Sequence, residues 1–415
     1  MVTKNKYLLR FLVLFIGLIT IPFPFNLIPN LEFVQKSFFG LYQKIVPWIG
    51  DKILNLEKPI TIIQNSSGDK TYDYVLLLIL SVIAIFGTVI WSILDRKNRD
   101  YEKLNYWFIA FTRCYLGYFM IYYSFFKIIP IQFGEIAFWR MLQPYGESSP
   151  MGLAWTFLGY SKGYNLFIGL SEFIGGILLF HRKTKLLGGL ILIPVTVNIV
   201  AINFFYDVPV KLFSSELLLM AVIVVAPDLK RLFNLIVQNK PTNRRDLTTP
   251  IESRKLIKGI NILKWTFLIF ILYKTIDHTT QTYKTRQNKS ELYGLYEVKL
   301  FTQNRDTIRP LLNDEKRWRY IFFEYPNTIQ FSRMNKSRYG LNSKIDTVKN
   351  QIRMTEFKDS TKTYNLNFKK TDSTLNIYGV FRKDTIYCET KRLDKKDFRL
   401  TSRGFNWINE YPYNR

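Results

Sequence analysis

The sequence predicts an α-helical polytopic membrane protein of about seven transmembrane helices, with a C-terminal antiparallel all-β domain. Three observations carry that prediction. Apolar runs long enough to cross a bilayer core, which takes roughly 17–25 residues, recur before residue 280 and never after it. Between them, short loops rich in Lys and Arg alternate with loops that are not, as the positive-inside rule expects. After Thr280 the spacing of apolar residues changes from three and four to two.

Composition agrees with two unlike parts. The chain has 415 residues, 48% hydrophobic and 16% aromatic, and a formal net charge of +26. The excess divides evenly, with 30 Lys/Arg against 17 Asp/Glu up to Thr279 and 28 against 15 beyond it. No nucleic-acid motif accompanies the charge, so membrane lipids are the expected counter-charge and nucleic acid is not an expected partner. Two cysteines, Cys114 and Cys388, give neither a CxxC pair nor a disulfide framework. His181 and His278 fall at opposite ends of the predicted helices, so no metal site is expected.

Residues 1–103 are predicted to hold two transmembrane helices and an external interfacial helix. Lys4, Lys6 and Arg10 precede an apolar run over 11–25 that lacks a small-x-small cleavage site and contains Pro22 and Pro24, with Pro29 beyond. That run reads as an uncleaved first helix, a cleaved signal peptide being the alternative. Residues 31–56 carry Val34, Phe38, Leu41, Ile45, Ile49 and Ile53 in a stripe that either lies in the interface or packs on the bundle, broken or kinked at Pro47. Residues 75–94 form the second span, and the basic run Asp95-Arg96-Lys97-Asn98-Arg99 puts its end in the cytoplasm.

Residues 104–231 are predicted to form a four-helix bundle over 104–129, 164–180, 186–206 and 212–226. The segment between the first two, with Pro130, Trp139, Pro144, Pro150 and Trp155, is too broken to cross and reads as an external cap of short helices. A cytoplasmic linker, 232–259, carries Pro241, Arg244, Arg245 and Pro250; a seventh helix follows over 260–279. This count leaves the N-terminus in the cytoplasm and the β domain, 280–415, outside. Pairs such as Val298/Leu300, Trp318/Tyr320/Phe322, Ile329/Phe331 and Tyr364/Leu366/Phe368 predict a sandwich or barrel of roughly seven to nine strands, the last over 398–408 with a bulge or a close backbone approach at Gly404.

Inside the apolar runs sit Arg113, Glu172, Asn198, Asn203 and Glu216, which lipid tolerates only if they face one another or a wet cavity. With helix ends level, Arg113 and Glu172 each lie nine residues from an inner end, about 13 Å deep, and are expected to pair. Such a pair either fixes helix register or marks a ligand or proton path. Gly169, Gly175, Gly176, Gly188 and Gly189 are expected to allow close helix packing.

The run 169–179, preceded by Arg113 and Lys127 and followed by Gly188-Gly189, resembles the DoxX family of four-helix membrane proteins. The stretches 206–212 and 403–408 resemble larger members from Bacteroidota-type bacteria. The family takes its name from a membrane subunit of a thiosulfate:quinone oxidoreductase. The resemblance implies a membrane subunit of a redox system whose bundle receives a quinone or another small amphiphile, with a partner subunit as electron donor and no cofactor motif in the chain itself. The alternative expectation is a non-enzymatic anchor whose external β domain binds an envelope protein. Both place the chain in the bacterial inner membrane with a periplasmic C-terminal domain.

Overall fold

A computed structural model describes residues 5–28, 30–62, 68–96, 100–243 and 249–414. Lys4, Pro29, Lys97, Asn98, Arg99, Arg244 and Arg245 lie outside them. The chain divides into a helical unit, residues 5–133 with 150–279, and a second unit made of 134–149 with 280–414.

The helical unit contains α1 (Lys6–Thr20), α2 (Glu32–Lys52), α3 (Thr71–Leu94) and α4 (Glu102–Ile128). α5 (Phe138–Leu142) belongs to the second unit, and the chain returns in α6 (Pro150–Tyr160), α7 (Lys162–Leu179), α8 (Lys185–Phe205), α9 (Lys211–Val225), α10 (Leu229–Ile236) and α11 (Arg254–Gln287). Asn5 caps α1 by accepting from the Tyr7 and Leu8 N–H groups, which fixes where that helix starts. α2 runs unbroken through Pro47, since a proline forfeits one backbone bond but bends a helix more readily than it ends one. Five helical stretches among the described residues are long and apolar enough to cross a membrane: Lys6–Leu27, Thr71–Leu94, Lys185–Phe205, Lys211–Ile236 and Arg254–Gln287. α4 and α7 are long enough, at 27 and 18 residues, but are more polar and fall outside that set.

The second unit is a closed antiparallel barrel. Its strands are β1 (Gly294–Gln303), β2 (Asp306–Thr307), β3 (Trp318–Phe323), β4 (Thr328–Arg333), β5 (Arg338–Asp346), β6 (Gln351–Thr355), β7 (Thr363–Lys370), β8 (Leu375–Phe381) and β9 (Asp384–Leu393). β2 is a two-residue flap on β1; the other eight pair in chain order and β9 closes on β1. Two-residue loops with positive φ, Asn304-Arg305 and Arg382-Lys383, turn the β1–β2 and β8–β9 hairpins. The interior is filled by side chains, with Trp318 at its centre 4.3 Å from Phe331 and 5.4 Å from Phe381.

Two bulges alter the alternation read from sequence. Val298 and Leu300 oppose the consecutive Thr390 and Glu389, and Trp318 and Tyr320 oppose the consecutive Arg333 and Ser332. Each bulge inserts one residue and reverses which face the following residues take. Phe301, not Leu300, therefore enters the core; Ile321 and Phe323 enter it, while Tyr320 and Phe322 turn outward.

That outward apolar patch is covered by the 134–149 segment. Phe138, 2% exposed, sits against Leu295 and Phe322, with Trp139, Met141 and Leu142 beside Tyr293, Leu393 and Phe398. The Phe138 N–H donates to Glu324 Oε1 at 2.9 Å, and Lys395 pairs with Glu135 at 3.0 Å. The segment predicted as a membrane-surface cap is thus split: 134–149 docks on the barrel and α6 stays with the helices. The strand predicted over 398–408 is absent. A short helix, α12 (Arg399–Ser402), and irregular exposed chain occupy that place, and Gly404 has open space rather than a close backbone neighbour.

Candidate functional site

α4 and α7 pack face to face because glycines let their backbones approach. A Cβ on Gly169 would lie 2.9 Å from Ile128 Cγ1 and 3.0 Å from the Ser124 carbonyl oxygen, so no larger residue fits there. Gly176 meets Met120 and Ile121 of α4, and Gly117, unremarked in the sequence, faces Gly176 and Phe180. Gly175 and Gly188 make the corresponding approach between α7 and α8, where a Gly188 Cβ would come within 2.8 Å of the Gly175 carbonyl oxygen. Gly189 abuts Val225 of α9.

These contacts fix the register of α4 against α7, and the register separates the expected pair. Leu179, the last residue of α7, lies beside Arg113, whose Nη1 donates to the Leu179 carbonyl at 3.3 Å. The ends of the two helices are therefore not level: α4 continues past the end of α7, and the depth argument fails at that assumption. Glu172 takes a different cation. Lys127 Nζ donates to Glu172 Oε2 at 2.9 Å, with the two residues 7% and 2% exposed. Arg113 and Lys127 are 14 residues apart on α4, roughly 21 Å at 1.5 Å per residue.

The Lys127–Glu172 pair lies in the wall of a cavity of about 290 Å³. α4 contributes Lys127, and the turn after it contributes Gln132 and Phe133. α6 contributes Leu158 and Trp155, the Trp155 ring lying edge-on to Phe133 with ring centres 5.2 Å apart. α7 adds Tyr164, Phe167, Ile168, Ser171 and Glu172; α8 adds Pro194, Val195, Asn198, Ile199, Ile202 and Asn203. Asn203 Nδ2 donates to the Val210 carbonyl at 3.3 Å, which ties this wall to the α8–α9 turn. Asn165 Nδ2 donates to the Phe133 carbonyl at 3.2 Å, which ties α7 to the turn that carries Phe133.

Of the residues singled out in the sequence, Glu172, Asn198 and Asn203 line this cavity and Arg113 and Glu216 do not. Glu216 is half-buried on α9, in the electrostatic environment of Tyr115, and takes no hydrogen bond or ion pair among the described residues.

Against known proteins, no family profile matches the chain and no solved structure does. The chain is 33% identical over 152 residues to the uncharacterized protein YwoB of Bacillus subtilis (strain 168), covering 88% of that protein and 36% of this chain. This chain belongs to the YwoB family. The name attaches no activity to YwoB, and well over half of this chain lies outside the match.

Among the lining residues of this YwoB-family chain that sequence reasoning left out of the site are Lys127, Gln132, Trp155 and Ser171. Lys127 could have been found as the second cation of an otherwise apolar helix, because an intramembrane acid needs a partner at its own depth. Trp155 and Gln132 come from irregular or short segments, whose fold against the bundle no periodicity announces.

Proposed function

We propose that this chain is a DoxX-like integral membrane protein of the bacterial inner membrane that binds a quinone or another small amphiphile in the cavity beside Lys127 and Glu172. The observation that carries this reading is the buried ion pair in the wall of an otherwise mostly apolar cavity of about 290 Å³. Amphiphile sites combine apolar walls with a few fixed polar groups. The lining fits such a ligand. Phe133, Trp155, Leu158, Phe167 and Ile199 provide the walls, while the Lys127 ammonium and the Asn198 amide offer donors to a carbonyl or hydroxyl oxygen.

A bound quinone would supply two-electron chemistry, with electrons delivered through a partner subunit. The chain's own part is to hold Lys127 charged and oriented through Glu172, to exclude water with the aromatic wall, and to lend or take a proton at Lys127 Nζ or Glu172 Oε2. Titration with a short-chain quinone, read as quenching of Trp155 by comparison with Trp155→Phe, tests this. A saturable response that Lys127→Met abolishes is expected; linear partitioning identical in all variants would overturn it.

The finer topology belongs to the same proposal. Residues 134–149 and 280–414 form one unit, which supports reading the ends of α4 and α11 that lead into it as lying on one side of the membrane. The chain between them then crosses an even number of times. α8, α9 and α11 are long and apolar enough to cross, so an even number calls for a fourth span, which α7 at 18 residues is long enough to provide. With α1, α3 and α4 the total is seven, which supports a cytoplasmic N-terminus and a periplasmic barrel by the charge rule.

One observation favours a second reading, an anchor that presents the barrel to an envelope component: Phe405, Trp407, Ile408 and Tyr411 stand exposed after α12. Cross-linking at Trp407 in cells, with capture of one defined envelope partner, is the outcome expected of it.

A further inference from the structure

The cavity beside Lys127 and Glu172 is partly open. α7 and α8 touch at Gly175 and Gly188, where a Cβ on Gly188 would come within 2.8 Å of the Gly175 carbonyl oxygen. Beyond that contact the helices part, and Ser171 and Glu172 of α7 face Pro194 and Val195 of α8 across the cavity. Phe167, Pro194 and Asn198 belong to the lining and are exposed at the same time, Phe167 by 64%, so the open side lies between these two helices. Its border is apolar. Leu170 and Ile174 of α7 and Val197 of α8 stand exposed beside it, and Ser171 spends its hydroxyl on the Phe167 carbonyl at 2.9 Å. Two polar groups of the lining are unfilled: Gln132 Oε1 is buried with no partner, and the Asn198 amide makes no hydrogen bond among the described residues. Size sets a further limit. An apolar cavity of about 150 Å³ holds one benzene, so about 290 Å³ holds a compact head and a few carbons, not a long chain.

We infer that the cavity takes the hydroxyl-bearing head of a long-chain amphiphile whose tail leaves between α7 and α8 into the bilayer; this rests on the reading of the cavity as an amphiphile site. Gln132 Oε1 is an acceptor, and a buried acceptor calls for a donor, which a hydroxyl has and a carbonyl lacks. The Lys127 ammonium has three donors, one of them spent on Glu172, and can donate to the same hydroxyl oxygen. α8 is long and apolar enough to cross a membrane, so the exposed Val197 and the residues facing it across the slot meet acyl chains, and a tail passing through stays in an apolar medium. The shared ligand chemistry is a hydroxyl on an apolar chain, as a hydroquinone or a monoacylglycerol carries it.

The test uses the full chain in a mild detergent without oxygen, titrated calorimetrically with decyl hydroquinone and with the matching decyl benzoquinone. The hydroquinone should bind about tenfold tighter, the effect of filling one buried acceptor. Gln132→Met, whose side chain has no hydrogen bond at Oε1 to lose, should bring the two forms to the same affinity. Competition by monodecanoylglycerol would support an acylglycerol as the source of the hydroxyl, and its failure to compete would support a hydroquinone. A decyl hydroquinone with a diazirine at its tail end needs no variant. On irradiation it should mark Leu170, Ile174 or Val197, outside the cavity, and excess unlabelled ligand should suppress the marks. Saturable binding in which the benzoquinone equals or exceeds the hydroquinone, or suppressible marks confined to Trp155 and Leu158, would overturn this inference and leave the amphiphile site standing. No saturable binding of either form would overturn both.

Discussion

Lys127 and Glu172 illustrate how a charge is kept in an apolar helix bundle: each is almost wholly buried, and each is tolerable only because the other is 2.9 Å away. Removing one partner strands the other, which costs roughly 3–5 kcal/mol. Lys127→Met and Glu172→Leu should each lower the thermal midpoint of the purified protein markedly. The double variant should recover most of the loss, since an apolar pair of similar volume is often neutral or better. Single variants as stable as the parent would show that the pair carries no such load.

Glu324 offers a pH test at the same scale. Burial pushes its carboxyl above the ordinary 4.5, and the Phe138 N–H and Lys395 pull partly the other way. Its second oxygen is buried with no partner among the described residues. A raised folded-state pKa means that the folded unit holds the proton more tightly than the unfolded chain. The stabilisation is therefore full below the ordinary carboxylate range and is lost as pH rises through the raised value. Neither histidine of the chain lies in this unit, so little else titrates just above that range. The barrel unit should melt at a higher temperature near pH 5 than near pH 8, and Glu324→Gln, which keeps the acceptor oxygen, should flatten the dependence. A wild-type profile unchanged by the substitution would remove Glu324 as its cause.

Among elements, the 134–149 segment changes what the C-terminal domain needs. The sequence suggests that residues 289–415 fold alone, yet Phe138 covers Leu295 and Phe322, which that fragment would leave exposed. A 280–415 fragment should melt well below one carrying 134–149 on a linker. Phe138→Ala in the linked form should cost about 3–5 kcal/mol, as large aromatic truncations in cores do. Equal melting of all three would show that the docking is not stabilising.

The same elements show what the sequence could and could not tell. Period-two spacing located the strands, and Asn304 marked its hairpin, because only a few residue types accept positive φ at a tight turn. The bulges after Val298 and Trp318 were invisible, since Tyr320, Ile321, Phe322 and Phe323 are all apolar and either phase looks well patterned. At the site, Glu172, Asn198 and Asn203 were legible as polar residues in apolar runs. Lys127 as the partner was not, because pairing depends on the offset between helices of unequal length. That offset is set by glycine contacts between α4 and α7, not by the helix ends.

For the whole molecule, topology governs every statement about location. Cys388 is buried in the barrel with its thiol pushed up to about 12, so it cannot report sidedness. Val348, 91% exposed on the barrel, can. In cells with a permeabilised outer layer, a membrane-impermeant thiol reagent should label Val348→Cys and spare Ser253→Cys, which stands exposed just before α11. The reverse pattern, or labelling of both, would break the count of seven crossings.

The central claim is that the cavity beside Lys127 and Glu172 takes a small amphiphile, and gentle purification addresses it most directly. Protein extracted in mild detergent, from cells making the wild type or the Lys127→Met/Glu172→Leu double variant, is stripped with organic solvent and the extract identified by mass spectrometry. The account predicts one quinone or related amphiphile near equimolar with the wild type and depleted from the folded double variant. No retained amphiphile, or equal retention by both proteins, would contradict it.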